Sequence, residues 1–457
     1  MGISSVGVGS GILTQNVLDQ LRAADEAGQI QPIDFSIANE NDKKDALALV
    51  DASMKNFIDS ITEIKSHGLY DARSTTLSGT SVEVTATAGT DIQDFNINVS
   101  NLATKQIEQS GSFTAETDLI ASGVGSINLN INSTDYTINY DATTTLKDLK
   151  TLINDVAGAG VDATIVQVNS GDFRLFVSSA NTGASQDVTI TDNSASLLGN
   201  QITTGLTAIQ TGVDANFTFN GQAISRQSNT VSDLITGLSV TLKETGSTDV
   251  SIKQDRVGIL EKMDSFVTKY NATISELNKL TKSSTDAAEK GIFSGESTIK
   301  NMKRTIEDLV STIGGGVGTM YDYGFDVDKD GVMTIDKTAF EAKLDADPAN
   351  VEAFLAGGTY TNADLTQVEL TGAFADFATG VEAYTKFNAT LDQFKNSITD
   401  TISSLEDRKT SATERLDSRY AILKKQFIAY DSLISKINTA SNIFTQLANA
   451  QSAAANG

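Results

Sequence analysis

Residues 416–437 read LDSRYAILKKQFIAYDSLISKI, and their apolar members Leu416, Tyr420, Leu423, Phe427, Tyr430, Ile434 and Ile437 fall alternately four and three apart. That spacing is the seam of a coiled coil, one stripe of a helix that must be covered by another. Neither Gly nor Pro occurs between Val381 and Asn456, so the spacing predicts one long helix over this stretch. The same rhythm recurs in Leu47, Val50, Met54, Phe57, Ile61 and Ile64, in Leu260, Met263, Val267, Tyr270, Ile274 and Leu277, and in Ile299, Met302, Ile306, Leu309 and Ile313. Helices at both ends of the chain therefore offer seams to one another.

Between them the texture changes. From about residue 75 to 255 the chain is dense in Thr, Ser, Asn, Val and Ile, with alternating segments such as TSVEVTAT, FNINVSNL, FRLFVSS and LSVTLKE bounded by Gly, Asn and Asp. These read as strands and turns. One helix is predicted among them at TLKDLKTLINDV, opened by a capping box of Thr145 and Asp148 and carrying an apolar face of Leu146, Leu149, Leu152, Ile153 and Val156. A chain that begins helical, turns to strand and returns to helix brings its two ends together; the alternative is an α+β protein whose helices cover a sheet.

Composition narrows the chemistry. The 457 residues carry a formal charge of −24, which repels nucleic acid and anionic membrane surfaces. With no Cys and one His, neither a disulfide framework nor a Cys/His zinc cluster is available. His67 lies beside Gly68 at a predicted helix end, a place where His⁺ favours the helix dipole rather than a catalytic triad. No apolar run is long enough to cross a bilayer and no basic residue precedes Arg22, so neither membrane insertion nor a cleaved signal peptide is expected. The glycines of GVGSG, Gly7 to Gly11, lack the spacing and preceding strand of a dinucleotide turn. In FDVDKDGVMTID, Asp326, Asp328 and Asp330 before Gly331 open like a calcium loop, but Lys337 occupies the closing position where a bidentate Glu belongs. The flanking Phe325, Val327, Val332 and Ile335 suit a β-hairpin around an Asp-Gly turn. No cofactor or metal is expected, nor any enzymatic activity.

Several segments, in order, resemble the flagellar hook-associated protein 2 family: ISSVGVGSGI near the amino end, INVSNLATKQIEQSGSF, FNGQAISRQSNTVSDLITGLSVTLKE, FSGESTIKNMKRTIEDLVST and YGFDVDKDGVMTIDKTAFEAKLDADPANVEAFL. TLINDVAGAGVDATIV, with Ile153-Asn154, resembles a short motif shared with flagellins. The resemblance implies an α+β multidomain fold with an antiparallel coiled-coil or helix-bundle stalk, formed by the N- and C-terminal regions, and two inserted β-rich domains. The implied division is a terminal leg region at 1–42 and 401–457, disordered or helical; a stalk domain at 43–74 and 255–400; an inner β domain at 75–108 and 207–254; and an outer α+β domain at 109–206.

As function, the resemblance implies a filament cap at the distal tip of the flagellum, exported through the flagellar type III apparatus, a route that absence of Cys suits. A secreted adhesin binding mucin or glycans is the alternative. The implied partners are copies of the chain itself, a pentamer on the filament, together with flagellin, hook–filament junction proteins and an export chaperone. Leu47, Met54, Phe57, Ile61, Leu416, Tyr420, Leu423, Phe427, Ile434 and Ile437 are the expected seam or self-association residues. Ile3, Val6, Ile12, Ile443, Phe444 and Leu447 are the expected filament-docking residues. The glycines at 2, 7, 9, 11 and 28 with Pro32 are too many breakers for a helix standing alone before about residue 40. Thr439–Gly457 keeps few apolar anchors, so both ends are expected to order only on docking.

Overall fold

The computed structural model describes residue 11 and residues 14–312 and 315–455. The chain divides into two compact units, Met1–Ser66 with Leu260–Gly457, and His67–Ile259. In the first, helices Gln31–Ile64, Arg256–Thr281, Ser297–Thr312 and Ala373–Thr385 build a bundle. Its centre is aromatic: the Phe266 ring lies 5.4 Å from Phe57, 4.8 Å from Phe374, 5.6 Å from Phe377 and 6.0 Å from Phe325. Each such side chain contributes roughly 1.5–3 kcal/mol by burial, and edge-to-face pairs add about 0.5–1.5 kcal/mol beyond it.

The bundle uses wider faces than a two-helix seam. Leu47, Val50, Met54, Phe57, Ile61 and Ile64 are buried as spaced. On the next helix Phe266 is buried where the heptad pointed to Val267, and on the third Val310 is buried while Leu309 is half-buried. A helix with neighbours on two sides buries more than an a/d stripe, so the buried positions drift off a strict heptad. Ile313 lies outside the described residues.

Two further expectations are corrected. The single helix expected from Val381 to Asn456 is two, Ala373–Thr385 and Thr390–Ala455. The break needs neither Gly nor Pro: Asn388 takes the left-handed conformation (φ 60°), which Asn tolerates, and its N–H donates to Asp392 at 3.1 Å. At the other end, Gly28 lies within helix Gln15–Gln29, and Pro32 sits in the first turn of Gln31–Ile64, where its missing N–H is no loss. The expected boundaries at 42/43 and 400/401 therefore fall inside continuous helices.

In the second unit two cores form. One joins a five-stranded sheet, in the order Arg73–Leu77, Gly246–Gln254, Gln93–Asn101, Ala215–Phe219, Gln222–Arg226, to a three-stranded one of Thr230–Val231, Leu238–Leu242 and Val82–Ala86. The other packs helix Leu146–Ala157 with a four-stranded sheet, in the order Thr207–Gln210, Lys105–Gln109, Asp172–Thr182, Val161–Asn169, and a three-stranded sheet of Thr134–Tyr140, Gly125–Ile131 and Val188–Asp192. The helix opens with the capping box of Thr145 and Asp148. Strand pairing moves the expected division at 108/109 and 206/207: Lys105–Gln109 and Thr207–Gln210 both belong to the second core's sheet.

Glu108 lies buried on one of those strands. Gln106 donates to its carboxylate and accepts from the Gly212 N–H at 2.8 Å. Burial, reinforced by the nearby Asp187 charge and opposed by the Gln106 bond, raises the Glu108 pKa above 4.5. A folded-state pKa above the unfolded one gives stability that is full below the unfolded value and is lost as pH rises through the folded value. Glu108→Gln should therefore melt higher than the parent at neutral pH, and the gap should close as pH falls into the ordinary carboxylate range. Melting curves across that range check this; a gap that widens on acidification contradicts it.

Candidate interaction surface

At the terminal helix Thr390–Ala455, the sequence seam meets its partner along half its length. Leu18 on helix Gln15–Gln29 packs with Leu416 and Tyr420, flanked by half-buried Ile30, Leu423 and Phe427. Polar contacts fix the direction: Asp34 with Lys409 at 2.7 Å, Arg22 with Asp417 at 2.5 Å, and the Tyr420 hydroxyl donating to Asp25 at 2.7 Å. From Arg22 and Asp25 to Asp34 on the helix that follows, the partners step back from Asp417 and Tyr420 to Lys409, so the amino-terminal segment runs antiparallel to the terminal helix. Burial, aided by the bond to Asp25, pushes the Tyr420 phenol above its ordinary pKa.

Beyond Phe427 the cover thins. Ile434 is half-buried, while Tyr430, Leu433, Ile437, Ile443, Phe444 and Leu447 are exposed, Phe444 by 73%. Tyr430, Leu433, Ile437, Phe444 and Leu447 continue the helical stripe at steps of three, four, seven and three, leaving one apolar line on a helix that otherwise faces solvent. The expected site residues thus separate into three groups. Leu47, Met54, Phe57 and Ile61 are bundle core; Leu416, Tyr420, Leu423 and Phe427 hold the amino-terminal helix, with half-buried Ile434 at its margin; Ile437, Ile443, Phe444 and Leu447 are uncovered. Ile3, Val6 and Ile12 lie outside the described residues. Sequence reading missed Phe387, 88% exposed in the break between the last two helices, beside a groove of about 650 Å³ whose apolar lining includes Leu47, Ile58 and Leu391. The only sequence signal is an aromatic followed by Asn, which in an unbroken helix would mean nothing.

The Asp-rich stretch folds as a hairpin of Phe325–Val327 and Met333–Ile335. Asp328 spends its carboxylate on the turn, accepting the N–H of Asp330 and of Val332, each at 2.9 Å, and these amides hold it below the usual carboxylate range. Asp330 instead pairs with Lys329 at 2.7 Å. Among the described residues no group of three or more His, Cys, Asp or Glu is placed to hold a metal ion, and no helix is long and apolar enough to cross a membrane.

A helical bundle built from both ends of the sequence, two inserted β-rich domains and an uncovered apolar line on the terminal helix define a multidomain chain whose evident chemistry is packing. Residues 10–106 match the family described as flagellar hook-associated protein 2 N-terminus, and residues 212–439 the one described as flagellar hook-associated protein 2 C-terminus. The chain belongs to the flagellar hook-associated protein 2 family. Relatives of that name include one from Campylobacter jejuni, 27% identical over 78% of this chain and 64% of its own length, so the match spans less than two thirds of that relative. Another, from Escherichia coli K12, is 25% identical over 97% of both. The D1–D2–D3 domains of the E. coli flagellar cap protein share the fold, with a TM-score of 0.60 and 22% identity over 78% of this chain and 99% of that one.

Leu18→Asp places a charge against Leu416 and Tyr420 and should release helix Gln15–Gln29 to rapid hydrogen exchange while the aromatic core stays protected. Retained protection of that helix contradicts the packing described. Calcium at millimolar concentration should leave the melting temperature unchanged, because a ligand selective for the folded state must raise it. A rise of several degrees, lost in Asp328→Ala, would restore the calcium loop.

Proposed function

We propose that the chain is a filament cap: a homo-oligomer at the distal tip of the flagellum that promotes insertion and folding of flagellin beneath it and prevents its loss. The observation that carries this reading is the apolar line from Tyr430 to Leu447, which continues the covered seam past the end of its partner. A cap must hold a growing tube and yet let go of it at every added subunit. A single helix face serves that purpose: its few large side chains each contribute roughly 1.5–3 kcal/mol when covered, and fixing those side chains on contact offsets part of the gain. The contact is thereby reversible. Copies of the chain, flagellin, hook–filament junction proteins and an export chaperone are the partners this role requires. Its place is outside the cell, reached by the flagellar type III route. Nothing observed favours the adhesin reading.

Removal of residues 439–457 should abolish filament elongation, with flagellin appearing in the medium, while the melting curve of the remainder is unchanged. Phe444→Asp, a single charge in the line, should weaken elongation in the same direction. Full-length filaments from the truncated protein, measured by electron microscopy in a strain lacking the parent gene, would sink the role assigned to this helix.

A further inference from the structure

The four-stranded sheet of the second unit ends in two open edges, Thr207–Gln210 on one side and Val161–Asn169 on the other. On the second, Asn154 clasps the main chain of Ala163: the Ala163 N–H donates to its side-chain oxygen at 2.7 Å, and its amide nitrogen donates to the Ala163 carbonyl at 2.9 Å. Both Ala163 groups therefore point away from the paired strand Asp172–Thr182. Since such groups alternate along a strand, those of Ile165 and Gln167 point outward too. No clasp reaches them among the described residues. From Ile165 to Asn169 the edge carries no charge and no Pro, and Val166 and Val168 are 40% and 45% exposed. The opposite edge, Thr-Ala-Ile-Gln at 207–210, is likewise uncharged, exposed at every residue, with Ile209 at 52%. Open edges of this kind are normally blunted by charge. Elsewhere in this unit they are: Gln222–Arg226 carries Arg226 paired with Asp233, and Thr134–Tyr140 carries Asp135.

We propose that these two edges pair with each other between neighbouring copies of the chain, extending the sheet from one outer domain to the next. Three observations select a second copy as the occupant. All neighbouring strands in the sheet are antiparallel, so the two outermost of four run opposite ways, and a copy set alongside continues the alternation. The strand Thr207–Gln210 has four residues, a match for the short unguarded stretch from Ile165 to Asn169. Two copies each carrying −24 repel over most of their surfaces, and a contact confined to uncharged edges is where that repulsion is least. The contact joins unlike edges, so it is head-to-tail and builds rings or open filaments rather than a twofold dimer. The inference rests on the self-assembly in the cap reading and says which surface performs it.

The chain has no Cys, so introduced thiols report single contacts. Val166→Cys and Ile209→Cys, each in the full chain, should give no dimer alone with a short bifunctional maleimide and a dimer when mixed. Ile165→Pro removes an outward N–H without touching the internal ladder, and Val166→Lys charges the edge while leaving the fold intact. Each should raise the concentration for half-assembly about tenfold or more, as the loss of a main-chain pairing demands. Mixing Ile165→Pro with Ile209→Lys should restore dimers and nothing larger. Dimers from Val166→Cys alone, or none from the mixture, overturn the pairing. An unmodified chain that assembles while the mixed thiols fail to link overturns the edge contact and leaves the cap reading standing; a chain that stays monomeric at high micromolar concentration by sedimentation overturns both.

Discussion

Five aromatic rings meet around Phe266, within 4.8–6.5 Å centre to centre, and they come from distant parts of the sequence: Phe57, Tyr270, Phe325, Phe374 and Phe377. No covalent link could do this work in a chain without Cys. The cluster ties an amino-terminal helix, the hairpin and a carboxy-terminal helix into one body, and long loop closures are the entropic penalty it must outweigh. Because that penalty grows only logarithmically with loop length, the bundle tolerates a second unit of nearly two hundred residues between its strands of sequence. The insertion of β domains into a helical frame is thus a consequence of where apolar surface is concentrated.

What the cluster does not cover is as informative as what it does. Helix Thr390–Ala455 is 66 residues long, whereas helix Gln15–Gln29 has 15. The covered seam ends near Phe427 because Leu18, the buried apolar anchor of the short helix, reaches no farther along an antiparallel partner. Exposed apolar side chains are unremarkable singly, but five in register on one helix face form a surface awaiting another.

The helices, the strands and the capped helix at Leu146 were legible because each follows from a local period or a cap. Three features were not. The break at Asn388 depends on one residue adopting a left-handed conformation that its neighbours neither forbid nor demand. The burial of Phe266 and Val310 in place of Val267 and Leu309 depends on how many neighbours a helix has, which spacing alone does not encode. The division between the two β cores depends on pairing between residues about a hundred apart, Lys105–Gln109 with Thr207–Gln210. Among the seam residues the heptad marked Leu416 and Ile437 alike, yet one is buried and the other 58% exposed, since periodicity names a face and not its occupant.

A single device recurs where sheets end. Asn271 clasps both main-chain groups of Met333 at 2.7 and 2.8 Å, Asn350 those of Thr361 at 2.7 Å, Asn229 those of Ala103 at 2.7 and 2.9 Å, and Asn154 those of Ala163. A carboxamide has one donor face and one acceptor in the geometry of a peptide group, so each clasp occupies an extended segment as a neighbouring strand would, and satisfies groups whose burial unpaired is costly. The Asn of Ile153-Asn154, noticed in the sequence as a motif, is therefore a strand substitute one residue long. Its reach is also its limit. A clasp covers a single residue, so a nine-residue edge such as Val161–Asn169 is guarded only at its root, and the same chemistry that closes the sheet at Ala163 leaves it open from Ile165 onward. An edge closed by a side chain at one end and uncharged at the other has its pairing register set in advance: an incoming strand must stop short of Asn154, which fixes how far two edges can slide along one another.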